Sequence, residues 1–233
     1  EALAFARSEG LRVAHQATGH SGAALASLEN ALLLKPSIET EPVIDADGGF
    51  ARVGAGTRWG PVVEAAGRQG LAALHGSSPT VGVIGYLLGG GLGFYGRHFG
   101  LACNRVRAIE VVTADGETGR VDRTEEPDLF WALRGGGGLY ATVTAVEFDL
   151  LPIREIFGGI SFWPVELGES ALSIWLDWTR TAPESVTTSF RFMNLPPFET
   201  VPEPLRGKSL VAIDGVAVDE ADGQALVSLL GEI

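Results

Sequence analysis

The stretch His75-Gly-Ser-Ser-Pro-Thr-Val-Gly-Val-Ile-Gly-Tyr-Leu-Leu-Gly-Gly-Gly-Leu-Gly-Phe-Tyr-Gly96 decides how this chain is read. Between positions 82 and 96 it holds seven glycines, at 82, 85, 89, 90, 91, 93 and 96, among apolar residues with hardly any charge. Glycine admits positive φ and lets a ligand lie against main-chain N–H groups. Concave rows of such groups bind anions without a basic side chain. A flexible linker would be rich in serine and other polar residues, whereas Val81, Val83, Ile84, Leu87, Leu88 and Leu92 belong in a core. The run reads as a buried cradle for a diphosphate or cofactor.

The common nucleotide motifs fit it poorly. A Walker loop ends in Gly-Lys-Ser/Thr, and no lysine occurs between Lys35 and Lys208. The dinucleotide fingerprint needs three glycines at fixed spacing between a strand and a helix, and here Gly89, Gly91 and Phe94 miss the third position. The chemistry points to a dinucleotide-type anion and the spacing away from a Rossmann domain.

Composition bounds the reading. The 233 residues suffice for one large domain or two modest ones, and 45% hydrophobic with 20% charged residues is ordinary for a globular protein. A net charge of −12 argues against a nucleic-acid partner, because phosphate backbones are held by clustered Lys and Arg. The single Cys103 excludes an internal disulfide framework and is expected as a small core residue in a cytoplasmic setting. No segment approaches the roughly 20 apolar residues of a membrane span. His75 and His98 have no carboxylate or thiol at metal spacing, so no metal site is expected. Ser77 and Ser78 lack a nucleophile-elbow pattern.

Along the chain, residues 1–10 read as the last turns of a helix closed by Gly10, so the chain is expected to begin inside an element. Strands are expected at 11–14 and 50–55, and a helix at 61–69. Strands at 106–114 and 117–122 flank Asp115-Gly116, a strong hairpin signal. A short helix over 127–134, its N-terminus capped by Glu125, Glu126 and Asp128, stops at four glycines. The strand at 142–150 turns Val146, Phe148 and Leu150 to one face. Beyond Pro152 the glycine density falls. A β-α-β-β-α order is expected there, with strands at 156–163, 187–193 and 209–218 and helices at 165–181 and 219–230, most of an α+β layer. Leu167, Ala171, Ile174, Trp175 and Trp178 form the apolar stripe of the first of those helices, which makes the tryptophans core residues. The boundary is set near 151–156.

A second constellation, Gln16-Ala-Thr-Gly-His-Ser-Gly22, places a histidine on a tight loop just after a strand. Four motifs now stand in order: Thr18-Gly-His-Ser21; Val53-Gly-Ala-Gly-Thr-Arg-Trp-Gly60; Gly76-Ser-Ser-Pro-Thr-Val-Gly82 with Gly89-Gly-Gly-Leu-Gly93; and Asp128-Leu-Phe-Trp-Ala-Leu-Arg-Gly-Gly-Gly-Gly138. Together they resemble the FAD-linked oxidases of the berberine-bridge-enzyme-like branch of the vanillyl-alcohol-oxidase superfamily. The resemblance implies an α+β architecture: a PCMH-type FAD-binding domain over 1–152, lacking its N-terminal part, and part of an α+β substrate domain over 153–233.

It also implies a cofactor, FAD, and its surroundings. The first loop supplies Gln16, Ala17, Thr18, Gly19, His20 and Ser21. The glycine-rich run supplies Gly76, Ser77, Ser78, Thr80, Val81, Gly82, Gly85, Tyr86, Gly89 and Gly91, and Gly138 and Val143 complete the set. His20 matches the position that carries the flavin 8α-methyl covalently, and a histidyl substituent withdraws electrons from the ring, easing hydride removal. Ser78 stands where doubly linked members carry cysteine, so a single bond is expected. Gln16 replaces an arginine common in the family, Tyr86 a histidine found in several members, and Leu139-Tyr140-Ala141 the usual Asn-Phe-Gly.

The expected activity is that of a flavin-dependent oxidoreductase. It would take hydride from a C–H bond beside a hydroxyl or amine of a small molecule and pass electrons to O2 or another acceptor. Tyr86 and Tyr140 are the candidate bases. A non-covalent, nicotinamide-consuming flavin reductase and a non-catalytic flavin-binding protein remain the alternatives.

Overall fold

The computed structural model describes residues 1–22, 27–36 and 40–233. It divides into two compact units, Glu1–Gly93 with Gly100–Arg154, and Phe94–Phe99 with Glu155–Ile233.

The first unit opens with helix α1 (Ala2–Ser8), followed by β1 (Arg12–His15) and β2 (Ala31–Leu34), which pair in parallel with His15 opposite Leu34. A five-stranded antiparallel sheet holds the main core. Its strands are β3 (Val43–Asp45), β4 (Phe50–Gly54), β5 (Val106–Val112), β6 (Thr118–Asp122) and β7 (Thr142–Asp149), in the order β3-β4-β7-β5-β6. Strands β5 and β6 form the expected hairpin. Thr113 and Glu117 close a loop over 114–116, with Gly116 in its last position at φ +92°, a left-handed conformation that glycine takes without steric cost. Val146, Phe148 and Leu150 are buried as expected. Val143 and Ala145 are buried as well, because the β5–β7 register slips between Glu110 and Val111. Such a bulge inserts an extra residue and re-aims the side chains beyond it.

Helix α2 (Trp59–Gly67) lays Trp59, Val62, Ala65 and Ala66 into that core, where Trp59 meets Phe148 edge-on at 5.5 Å. Helix α3 (Val83–Leu88) lies inside the glycine run. Local propensity argues against a helix there, but Val83, Ile84, Leu87 and Leu88 are all buried, and burying one face outweighs the propensity of a single glycine. Helix α5 (Pro127–Gly136) buries Phe130 and Leu133 and leaves helical geometry at Arg134 and Gly135. The expected acidic cap is corrected here: Glu126 occupies the cap position without a side-chain hydrogen bond. Asp128 lies in the first turn, and Asp122 instead organises the turn that precedes the helix. It accepts from the N–H and hydroxyl of Thr124 and the N–H of Glu125, and these bonds hold its carboxyl well below the usual range. Cys103 is buried.

The second unit contains helix α4 (Gly96–Phe99), then β8 (Phe157–Pro164), α6 (Gly168–Thr179), β9 (Val186–Asn194), β10 (Ser209–Ala217) and α7 (Glu220–Leu230). The expected β-α-β-β-α order is present, with the last strand in the middle of an antiparallel β8-β10-β9 sheet. Val186, Ile213, Ala217, Leu226 and Leu230 form its core, and Trp175 and Trp178 pack against it. Residues 165–167 make a 3-10 turn rather than the first turn of α6. Asp219 caps α7 by accepting from the Asp222 N–H at 3.2 Å. Membership of 94–99 in this unit was not foreseen. The Arg97 N–H donates to Thr187 Oγ1 at 3.4 Å and its guanidinium to the Ala182 carbonyl at 2.8 Å.

Candidate flavin site

Three loops of the first unit are tied into one surface. The first, residues 16–22, leaves β1 and turns at Gly19, whose φ is +78° and whose missing Cβ would lie 2.6 Å from Gln16 Nε2. Only glycine fits that turn without displacing the Gln16 amide. Thr18 Oγ1 accepts from the Gly82 N–H at 3.3 Å and meets His20 Nδ1 at 2.9 Å. His20 Nε2 lies 3.4 Å from Thr80 Oγ1, itself 3.0 Å from Ser78 Oγ. The imidazole is therefore exposed and oriented from both sides, at the seam between the first loop and the second, residues 76–82.

The second loop is anchored from behind. The Trp59 N–H donates to Val81 O, the Gly60 N–H to Pro79 O and the Val83 N–H to Thr57 O. The third loop, residues 135–141, joins through the Gly137 N–H to Leu88 O bond at the end of α3. The strand ends that flank it and the first loop meet at His15 Nε2 and Thr142 Oγ1, 2.8 Å apart. Gly138 closes this corner, its Cβ position 3.8 Å from His15 Nδ1.

The predicted site residues separate into two groups. Thr18, His20, Ser78, Thr80 and Gly82 come together at the seam, with Ala17 beside Gly82 and Gln16 beside Gly19, and Ser21 and Ser77 lie on the same two loops. Gly85 is exposed with nothing within 4 Å of its Cβ position. Tyr86 and Gly91 turn inward instead. The Tyr86 ring sits edge-on to Trp59 at 5.5 Å and within 3.1 Å of the Cβ positions of Gly76 and Gly91. Its hydroxyl is buried with no hydrogen-bond partner, and burial pushes its pKa up to about 12. Tyr86 is thus half-buried, with its ring packed against Trp59 and its hydroxyl turned away from solvent. Val143 is in the core. Gly89 is exposed, and Tyr140 projects from the third loop, 54% exposed beside the 86% exposed Leu139. Sequence reasoning missed His15 and Thr142. Neither stands in a motif: His15 ends β1 and Thr142 opens β7, and only the fold brings them together.

An acceptor-rich ligand suits this surface. Among the described residues, the backbone N–H groups of Gly19, His20, Ser21, Ser77 and Ser78 meet no protein acceptor. They lie on two loops that touch each other, and backbone donors of this kind can hold an anion without side-chain charge. The diphosphate of FAD is such a ligand, and the residues present fit it. Among the described residues no cluster of three metal-ligating side chains occurs, and no helix is long and apolar enough to cross a membrane.

The comparisons agree with this geometry. A family model described as FAD binding domain matches residues 1–122. The chain is 33% identical over 172 residues to (R)-6-hydroxynicotine oxidase of Paenarthrobacter nicotinovorans, covering 73% of this chain and 38% of that protein. The crystal structure of 6-hydroxy-D-nicotine oxidase from Arthrobacter nicotinovorans superposes with a TM-score of 0.81 at 28% identity, covering 98% of this chain and 49% of that one. Glucooligosaccharide oxidase of Acremonium strictum, described as carrying a 6-S-cysteinyl, 8α-N1-histidyl FAD, superposes with a TM-score of 0.75 at 26% identity, covering 98% and 48%. The chain thus spans half or less of the length of each of these relatives. With more than half of its residues matched and the PCMH-type fold in place, the chain belongs to the FAD-binding domain family of the FAD-linked oxidoreductases.

Proposed function

We propose that residues 1–152 form the FAD-binding domain, and 153–233 the beginning of the substrate domain, of an FAD-dependent oxidase whose flavin is joined covalently to His20. When bound, FAD takes hydride from a C–H bond next to a hydroxyl or amine of a small-molecule substrate and delivers the electrons to O2 or another acceptor. The observation that carries this reading is His20 itself. Its imidazole stands exposed at the seam of two loops, with a threonine hydroxyl at each ring nitrogen. Thr18 Oγ1 also accepts from the Gly82 N–H, which ties the hydroxyl beside Nδ1 to the second loop and restrains the ring. Preorganisation of this kind lowers the entropic cost of reaching one bonding geometry.

The histidyl linkage described for glucooligosaccharide oxidase supports the assignment, and so does the nicotine-oxidase resemblance for an oxidase acting on a small molecule. Ser78 lies 3.0 Å from Thr80 within the same seam. A serine hydroxyl does not form the thioether of a doubly linked flavin, so one bond is the expectation.

The test is acid precipitation of the full-length protein. A yellow pellet, and a flavin-bearing peptide containing His20 by mass, is the expected result, together with oxygen consumption on a panel of alcohols and amines. A yellow supernatant would move the protein to the non-covalent reductase reading. A flavin that no donor reduces would move it to a binding protein without turnover.

A further inference from the structure

His15 stands outside the motifs that pointed to the flavin. It ends β1, one residue before the loop that carries His20, and its imidazole is half-buried. Nε2 is committed to Thr142 Oγ1 at 2.8 Å. Nδ1 has no partner among the described residues, yet it is not sealed in the interior. It lies on the Gly138 side, where the absence of a side chain leaves it uncovered. Burial lowers the pKa of the ring from its usual 6.5, so at neutral pH the imidazole carries no charge and each nitrogen has one hydrogen-bonding role. Half-burying such a ring is costly unless its polar atoms are used, and the protein uses only one of them.

We propose that His15 is a cofactor-binding residue: its Nδ1 makes a polar contact with FAD beside Gly138, while Thr142 holds the ring in register from the other side. The inference rests on the reading of the three loops as the seat of the flavin. A purely structural alternative exists, in which the pair is only a strap between β1 and β7. The two make opposite demands on the replaced side chain. An asparagine amide reaches about as far as Nδ1 and cannot reach Thr142. A glutamine amide reaches about as far as Nε2 and leaves the Nδ1 position empty.

The experiment uses the full-length protein carrying His20→Ala, so that FAD exchanges reversibly, with FAD itself as the probe. His15→Asn, His15→Gln, His15→Leu and Thr142→Val are added singly. FAD affinity is titrated by fluorescence, and the visible absorption bands of the bound flavin are recorded. His15→Gln and His15→Leu are expected to weaken FAD binding about tenfold, the worth of one good hydrogen bond, and to shift the visible bands. His15→Asn should bind within about threefold of the parent, and Thr142→Val should fall between. Should His15→Leu fail to fold, the two amide variants still decide the matter. Equal or tighter binding by His15→Gln than by His15→Asn overturns the inference and leaves only the strap. A parent protein that takes up no FAD at all would sink the three-loop reading, and this contact with it. A yellow supernatant from the protein with His20 intact would remove only the covalent bond.

Discussion

Two sets of glycines lie within the same motifs and do opposite things. Around Tyr86, glycines let the chain pack against itself. A Cβ on Gly93 would fall 2.1 Å from the His75 carbonyl oxygen and 2.7 Å from the Tyr86 hydroxyl, and one on Gly91 would fall 2.7 Å from both Ala102 Cβ and Tyr86 Cε1. At Gly85, Gly135 and Gly137 a Cβ would meet nothing within 4 Å. The first set is absent side chain inside a close-packed interior; the second is absent side chain where a ligand can lie. Glycine density alone therefore marks the neighbourhood of a flavin, not its contact surface.

The largest test of that contrast is Gly93→Ala. A methyl group forced onto a backbone carbonyl has no flexible neighbour to displace, so unfolding should become easier by about 4 kcal/mol, read from urea denaturation followed by near-ultraviolet circular dichroism. A loss below about 1 kcal/mol would mean that the packing around Tyr86 is loose. Gly85→Ala should do the reverse. The apoprotein should gain roughly 0.5–1 kcal/mol from better helix propensity in α3, while FAD retention falls about tenfold. Unchanged retention would place the flavin away from that helix face.

Tyr86→Phe separates packing from chemistry. Removing a buried hydroxyl that has no partner should leave stability within about 1 kcal/mol of the parent, or raise it, and turnover of the full-length enzyme should persist. A hundredfold fall in kcat with loss of the limb of the pH profile that rises with pH would establish Tyr86 as a base. The smallest effect concerns His15. Its pKa is lowered on folding, so as pH drops through about 6.5 the unfolded chain takes up the proton first. The stability it permits is whole above that pH and declines below it. Thermal melts between pH 7 and pH 5 should therefore show a shallower decline for His15→Gln than for the parent protein.

Much of the second unit was legible because its signals are local. The apolar stripe of α6 and the strand–helix succession of β9, β10 and α7 each depend on neighbours a few residues away. In the first unit the Asp115-Gly116 turn was read for the same reason. Strands β2 and β3, four and three residues long, carry no alternation long enough to recognise. Helix α3 was hidden because the face it buries is completed by distant residues, among them the end of α5. The capping error at α5 has a similar origin. Acidic residues suit any helix N-terminus, but whether one reaches the helix backbone depends on the turn that enters it, and Glu126 does not.

Motif order and residue chemistry were enough to name a flavin, to single out His20 and to dispense with cations, because turn conformation and hydrogen-bonding capacity belong to short segments. Packing alone assigned directions: Tyr86 inward, Gly85 outward, and His15 against a threonine 127 residues along the chain. A side chain's type is written in its codon, but the side it faces follows from which distant surfaces can be closed around it without voids or stranded polar atoms.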